Sequence, residues 1–414
     1  MEYGLIGEKL THSFSKYLHE KFLNTNYELC SLSKEELDNF FTKKDFKGIN
    51  VTIPYKQEVI KYLDYIDPLV EKTNACNCIV NENGVLKGYN TDYTGFRYLI
   101  FENRINLRNK KVAILGSGGT FNTVKQVALD LYANEVYCIS RTKKEDTYTY
   151  DELYDLDIDV LINTTPVGMY PNNFESNIDM NKLDSLEAVV DVVFNPLRSK
   201  LVVDAQKKGI KAVGGLQMLV VQGMKASELF LNKNYTYEEV RGVFFDINVE
   251  KFNIVLIGMP MSGKTTLGTM LSTAFNKEFI DIDKEIVNRE NMSINEIFET
   301  KGEDYFRSIE RELYKEYAKK NGLIISTGGG IVKNIQSIDY LKENGMIVFV
   351  DRKIEKMIMN NHRPLSKTYS DVKELLKERY ELYFDNCDFK INNNGSKKRA
   401  VIHIVEAFYE YLSD

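Results

Sequence analysis

The chain has 414 residues, is 43% hydrophobic and 28% charged, and carries a net charge of −6. That length is the length of two or three domains, its apolar content is enough for more than one core, and its acidic balance argues against a nucleic acid or anionic membrane held by bulk electrostatics. No apolar run is long enough to span a bilayer, and the start MEYGLIGEKL lacks a basic region followed by an apolar stretch and cleavage site, so a soluble cytoplasmic protein is expected.

Short aliphatic or β-branched runs alternate with longer helical patterns along the chain. YGLIG, KGINVTI, KVAIL, EVYCIS, DVLINTT and AVVDVVF form one series; NIVLIG, EFIDID, LIISTGGG and MIVFV form a second. This alternation predicts parallel sheets with crossover helices, an α/β fold. Residues 231–252 are charged and Tyr-rich with no strand pattern, which places a domain boundary near Asn248. Cys76 and Cys78 have no second Cys pair or His cluster near them, so the five cysteines read as reduced, packed thiols.

In the first series, HSFS sets Ser13 and Ser15 on one side of an extended turn, where both can hydrogen-bond a carboxylate. NVTIPYK brings Thr52 near Lys56, ACNC supplies Asn77, and GYNTD supplies Asn90, Thr91 and Asp92. Taken singly, Ser13 and Thr91 read as capping or turn residues. A Lys56–Asp92 contact reads otherwise, because a ketone becoming an alcohol needs a proton donor as hydride arrives. Behind KVAIL, Gly116, Gly118 and Gly119 form an irregular dinucleotide turn, and FNTVKQVALDLYA reads as the helix that follows. At the end of the next strand stand Ser140, Arg141, Thr142 and Lys143 rather than an acidic residue, which favours the 2′-phosphate of NADP over NAD.

In the second series, Gly258, Gly263, Lys264 and Thr265 satisfy GxxxxGKT between a strand and a helical pattern, with Ser262 and Thr266 in the same run. Backbone N–H groups there can surround phosphate, Lys264 can offset its charge, and Thr265 can ligate magnesium. Pro260 and Met261 also occupy this loop, and proline offers no N–H. FIDID places Asp281 and Asp283 two apart, on one face if both lie on a strand, able to serve a magnesium shell and a substrate hydroxyl. Arg307, Arg363 and Arg379 add fixed cations, and Gly328, Gly329 and Gly330 let a ligand approach backbone.

From Asn253 onward this ordered set resembles shikimate kinase. The resemblance implies that Asp281 with Thr265 belongs to the Mg2+ region and that Asp283 holds shikimate hydroxyls. It also implies that Arg307 and Arg379 grip the shikimate carboxylate, that Gly329 lies in the pocket wall, and that Arg363 is a lid arginine over ATP. From Glu2 to Phe230 the chain resembles shikimate dehydrogenase, with YGLIGEKLTHSFS, GINVTIPYK, NACNCIV, GYNTDYTGF, NTTPVGMYP, DVVFNPLRSKL and GGLQMLVVQG in the family's order. That resemblance implies a Lys56–Asp92 catalytic pair and carboxylate binding by Ser13 and Ser15. Thr52, Lys56, Asn77, Asp92 and Gln222 would surround the hydroxyls, and NADP(H) would meet Gly116, Gly118, Gly119, Ser140, Arg141, Thr142, Met169 and Gly214.

Together these imply a substrate domain at 1–105 completed by 215–246, an NADP-binding Rossmann domain at 106–214, and a P-loop kinase domain at 252–414. The implied activity is reduction of 3-dehydroshikimate to shikimate and ATP-dependent phosphorylation of shikimate, two steps toward chorismate and aromatic amino acids. Small molecules are the expected partners, with neither nucleic acid nor membrane, and a homodimer is left open. A different small-molecule kinase or a nucleotide-sensing regulatory module stands as the alternative for the second half, and quinate as an alternative substrate for the first.

Overall fold

The computed structural model describes residues 1–10, 14–357 and 368–413. The chain divides into two compact units, Met1–Asn195 with Asp204–Phe244, and Pro196–Val203 with Phe245–Asp414.

The first unit holds two sheets. One contains β1 (Tyr3–Gly7), β2 (Glu28–Ser31), β3 (Gly48–Val51), β4 (Tyr65–Ile66), β5 (Cys78–Glu82) and β6 (Val85–Tyr89), in the order β2-β1-β3-β5-β6-β4. Strands β1 and β3 are buried along their whole length, which is why they read as continuous apolar runs rather than alternating ones. Ile6, Ile49, Val51, Tyr55 and Val59 join the core beneath them. Parallel pairing holds for β1 with β2 and β3, as expected from the alternation. It fails at β5, which runs antiparallel to both β3 and β6. For β5 and β6 the reason is local: Asn83 and Gly84 both have positive φ, 54° and 90°, and form a two-residue hairpin loop between them.

The second sheet of this unit contains β7 (Lys111–Leu115), β8 (Glu135–Ile139), β9 (Thr147–Tyr148), β10 (Val160–Asn163), β11 (Ala188–Asp191) and β12 (Lys211–Val213). Its order is β12-β11-β10-β7-β8-β9 and every neighbouring pair is parallel. The chain proceeds outward from β7 on one side and from β10 on the other. The carboxyl ends of β7 and β10 are therefore the switch point where an open α/β sheet binds ligands.

The second unit is built on β13 (Asn253–Ile257), β14 (Glu278–Asp281), β15 (Leu323–Ser326), β16 (Gly345–Asp351) and β17 (Phe389–Asn392), all parallel in the order β14-β15-β13-β16-β17. The central strand β13 is fully buried and delivers the chain at Ile257 into the glycine loop and the helix Lys264–Phe275. Residues 237–251, which showed no strand pattern, form a helix. No helix among the described residues is long and apolar enough to cross a membrane.

Candidate active sites

In the first unit, Lys56 follows β3 and Asp92 lies in the first turn of the helix Thr91–Glu102. Asn90 caps that helix, its side-chain oxygen accepting the Tyr93 N–H, and its amide donates to Thr73 Oγ1 at 2.8 Å and Thr123 Oγ1 at 3.0 Å. With the helix start fixed in this way, Lys56 Nζ donates to Asp92 Oδ2 at 2.6 Å, the two side chains being 16% and 10% exposed. The contact expected between these two residues is therefore present.

Asn77 is bound to the same helix start. Its Oδ1 accepts the Thr91 N–H at 2.7 Å, and its Nδ2 donates to Thr91 Oγ1 at 3.0 Å and Gln222 Oε1 at 3.4 Å. Gln222 reaches this point because the helix Leu216–Leu231 packs closely on Thr91–Glu102: a Cβ on Gly95 would stand 2.5 Å from the Met218 carbonyl oxygen. Thr52 is half-buried at the end of β3, its N–H donating to the Ile6 carbonyl. Ser15 lies in the first turn of the helix Phe14–Leu23 rather than in an extended turn, and Ser13 lies outside the described residues. Asn50 was not singled out from the sequence. It is buried in β3, where Oδ1 accepts from Tyr27 Oη at 2.8 Å and Nδ2 donates to the Asn77 carbonyl at 3.2 Å. An asparagine inside the otherwise apolar run GINV was the available signal.

The glycine turn after β7 faces this group. Gly116 has φ +102°, a conformation that side chains disfavour, and its N–H donates to the Ile139 carbonyl at 2.8 Å. Gly118 caps the helix Gly119–Asp130, with no atom within 4 Å of where its Cβ would be. A Cβ on Gly119 would lie 3.8 Å from Lys56 Cβ, so the cradle and the Lys56–Asp92 pair belong to one cleft. At the end of β8, Ser140 is half-buried, while Arg141 and Thr142 are exposed. Lys143 is bound to Glu152 at 2.8 Å, whereas Arg141 forms no ion pair among the described residues and is open to a 2′-phosphate. Met169 is 39% exposed and Gly214 half-buried. These residues fit a dinucleotide: an open turn at a helix N-terminus, a cation at the next strand end, and a proton donor beside the turn.

In the second unit, the loop Gly258–Gly263 bends through positive φ at Gly258 (142°), Met261 (64°) and Gly263 (101°). Lys264 Nζ donates to the carbonyls of Gly258 at 2.8 Å and Met259 at 2.9 Å. Asn393 Nδ2 donates to the Ser262 carbonyl at 2.7 Å, fixing the far side of the loop. The buried Ser262 hydroxyl has no hydrogen-bond partner among the described residues, and Thr266 is exposed in the first turn behind the loop. Thr265 Oγ1 donates to Asp281 Oδ2 at 2.7 Å, so the two residues expected around magnesium meet. Asp281 and Asp283 do not share a strand face: β14 ends at Asp281, and Asp283 lies in the first turn of the helix Ile282–Glu290. The helix redirects Asp283 toward the glycines after β15, where its Oδ1 is 3.3 Å from the place of a Cβ on Gly328.

Arg307 and Arg379 converge on the same glycines. The Arg307 guanidinium carbon is 2.7 Å from the place of a Cβ on Gly330, and Arg379 Nη1 donates to the Gly329 carbonyl at 2.9 Å, as Tyr383 Oη does at 2.5 Å. Glu310, which sequence reasoning passed over, is buried and accepts from Arg307 Nη1 at 2.8 Å and Tyr314 Oη at 3.0 Å. Burial pushes the Glu310 carboxyl above its ordinary pKa, against the pull of Arg307. Burial works against the Arg307 charge as well, but Glu310 and Glu303 outweigh it and hold the guanidinium protonated. Its i,i+3 spacing from Arg307 on one helix was the sequence signal. Arg363 lies outside the described residues.

A family model for shikimate kinase matches residues 260–409, and one for the shikimate dehydrogenase substrate binding domain matches residues 5–79. The chain is 36% identical over 245 residues to the shikimate dehydrogenase (NADP(+)) of Clostridium beijerinckii, covering 55% of this chain and 91% of that one. It is 34% identical over 264 residues to the enzyme of the same name from Methanosphaera stadtmanae, covering 57% and 93%. Among solved structures it is similar to a chorismate mutase/shikimate 5-dehydrogenase fusion protein from Clostridium acetobutylicum, with TM-score 0.56, 35% identity and coverage of 59% and 96%. Shikimate dehydrogenase 1 from Peptoclostridium difficile is matched with TM-score 0.57, 31% identity and coverage of 60% and 99%.

Proposed function

Because the chain belongs to the shikimate dehydrogenase family and carries a shikimate kinase domain behind it, we propose that it turns 3-dehydroshikimate into shikimate 3-phosphate in two steps, a reduction by NADPH and a phosphorylation by ATP. The observation that carries the first step is the Lys56–Asp92 contact set against the Gly119 turn. NADPH, when bound on that turn, supplies hydride to the ketone carbon. Lys56 Nζ gives a proton to the ketone oxygen, so the carbonyl gains one hydride and one proton and becomes a hydroxyl. Asp92 orients the ammonium and receives a share of its hydrogen bonding throughout. Asn77, Gln222, Thr52, Ser13 and Ser15 hold the hydroxyls and carboxylate of the ring.

For the second step, Asp283 takes the proton of the shikimate 3-hydroxyl as its oxygen bonds to the γ-phosphorus of ATP, and ADP leaves. Arg307 and Arg379 orient the acid through its carboxylate, a role suited to guanidinium forks. Lys264 and Arg363 offset charge on the transferred group, and Thr265 with Asp281 would hold Mg2+, whose contribution is to neutralise the outer phosphates.

Mass analysis of the products from purified protein, 3-dehydroshikimate, NADPH, ATP and magnesium tests both steps. Shikimate 3-phosphate is expected, and shikimate alone when ATP is omitted. Shikimate that persists with ATP present refutes the second step, and an untouched ketone refutes the first.

A further inference from the structure

At the rim of the phosphate loop stands an arginine that none of the roles above uses. Arg352 follows β16, and its Nη1 is 3.7 Å from the place of a Cβ on Gly263, the glycine that precedes Lys264. Strand register explains the placement: Ile257, the last residue of β13, pairs with Phe349, so β16 runs on past the point where β13 opens into the loop. The backbone on both sides of Arg352 is tied to the turn after β17. The Asp351 carbonyl accepts the Asn393 N–H at 2.8 Å, and the Lys353 N–H donates to Asn394 Oδ1 at 2.8 Å. Asn393 in turn holds the Ser262 carbonyl, so Arg352 and the loop rest on one support.

Among the described residues the charge of Arg352 has no carboxylate counterpart. Its nearest acidic neighbour in sequence, Asp351, is bound to Lys390 at 3.1 Å and accepts from Tyr380 Oη at 3.3 Å. Arg352 forms no ion pair with a carboxylate among the described residues, and its Nε is buried without an acceptor. By contrast, Arg289, Arg307 and Arg379 each stand within 4 Å of a glutamate. A buried donor with no acceptor is costly unless a ligand supplies one. The buried, unpartnered hydroxyl of Ser262 in the adjoining loop makes the same demand. The loop itself is one N–H short at Pro260, and a guanidinium offers up to five donors.

We propose that Arg352 is a phosphate-binding residue of the kinase half, donating to a phosphate oxygen of the nucleotide held at Gly263. The proposal rests on the reading of this loop as the ATP site, and its test separates the two. The full chain and its Arg352→Met, Arg352→Lys and Lys264→Ala variants are titrated calorimetrically with Mg-ADP and with inorganic tripolyphosphate.

Arg352→Met is expected to weaken both probes about ten-fold, the loss of one charge-assisted contact, and Arg352→Lys to recover part of it. NADPH oxidation and the thermal midpoint, unchanged in Arg352→Met, show that the fold persists. Wild-type affinity for Mg-ADP in Arg352→Met, with binding lost in Lys264→Ala, overturns the proposal while leaving the ATP site in place. A loss for Mg-ADP but not for tripolyphosphate also overturns it, placing Arg352 on the base. Undiminished Mg-ADP binding in Lys264→Ala refutes the reading of the loop itself.

Discussion

Lys56 and Asp92, 36 residues apart in sequence, meet with 2.6 Å between Nζ and Oδ2. The helix start that carries Asp92 is held by Asn77 and Asn90 rather than by Lys56, so removing the lysine leaves the carboxylate in place. Lys56→Ala should therefore lower the turnover number for 3-dehydroshikimate by about 10²- to 10⁴-fold, the range of a general acid, with NADPH binding intact. Stopped-flow NADPH oxidation and a fluorescence titration of the cofactor check the two halves of this expectation. A variant that loses cofactor binding together with turnover would assign Lys56 to the cradle instead.

Arg141 governs cofactor choice in this reading. It is exposed at the end of β8, and its neighbour Lys143 is already taken by Glu152. A single charge-assisted contact to a 2′-phosphate is worth about 1.5–3 kcal/mol, so Arg141→Ala should raise the KM for NADPH by at least ten-fold. The KM for NADH should stay where it was, because NADH lacks that phosphate. Steady-state rates with both cofactors decide it, and an equal rise for both would remove Arg141 from the discrimination.

What was legible in the sequence followed from local chemistry. KVAIL coincides with β7 to the residue and NIVLIG overruns β13 by one glycine, because buried parallel strands are continuous apolar runs bounded by glycine turns. The Asn83–Gly84 hairpin was equally local, written in the NG pair between CIVNE and VLKGY, and the expectation of parallel pairing missed it by following the alternation alone. Asp283 was misplaced on a strand because period-2 spacing over two residues does not reveal that β14 stops at Asp281. Asn50 and Glu310 depend on partners that only folding supplies. Tyr27, 23 residues away, gives Asn50 its role, and the burial of Glu310 comes from its packing beside Tyr314 and Gly328.

Glu310 supports Arg307 from beneath, its side chain 4% exposed against 22% for the arginine. Glu310→Leu would leave Arg307 Nη1 without its acceptor, while Glu303 still holds the other side of the guanidinium. The expected cost is about 2–3 kcal/mol, below the usual figure for breaking a fully buried pair because one partner remains and water reaches the site. Urea unfolding of the kinase half measures that cost. The KM for shikimate should rise more than kcat falls if Arg307 holds the carboxylate as proposed, since its displacement then weakens binding rather than the transfer itself. Glu310→Gln, which keeps an acceptor for Arg307 and for Tyr314, should restore most of both.

His19 sets an acid limit on the dehydrogenase half. Its ring is buried, stacks on Tyr27 with centroids 4.4 Å apart, and pairs through Nδ1 with Ser227 Oγ at 3.2 Å, while Nε2 has no partner among the described residues. Burial lowers its pKa from 6.5 to about 3. Between those values the unfolded chain binds a proton that the folded one refuses, so stability falls as pH drops from 6.5 toward 3. The slope from this group approaches about 1.4 kcal/mol per pH unit. Above about pH 7.5 the ring is neutral in both states and contributes almost no slope. His19→Gln removes the titration, so its stability relative to the parent protein should level off near about pH 7.5 and improve steadily as pH falls through 6.5, whatever the offset from lost packing. Urea midpoints for the two proteins at half-unit steps from pH 7.5 to 4.5 measure the difference, and parallel curves through that window would show that His19 is protonated in the folded state.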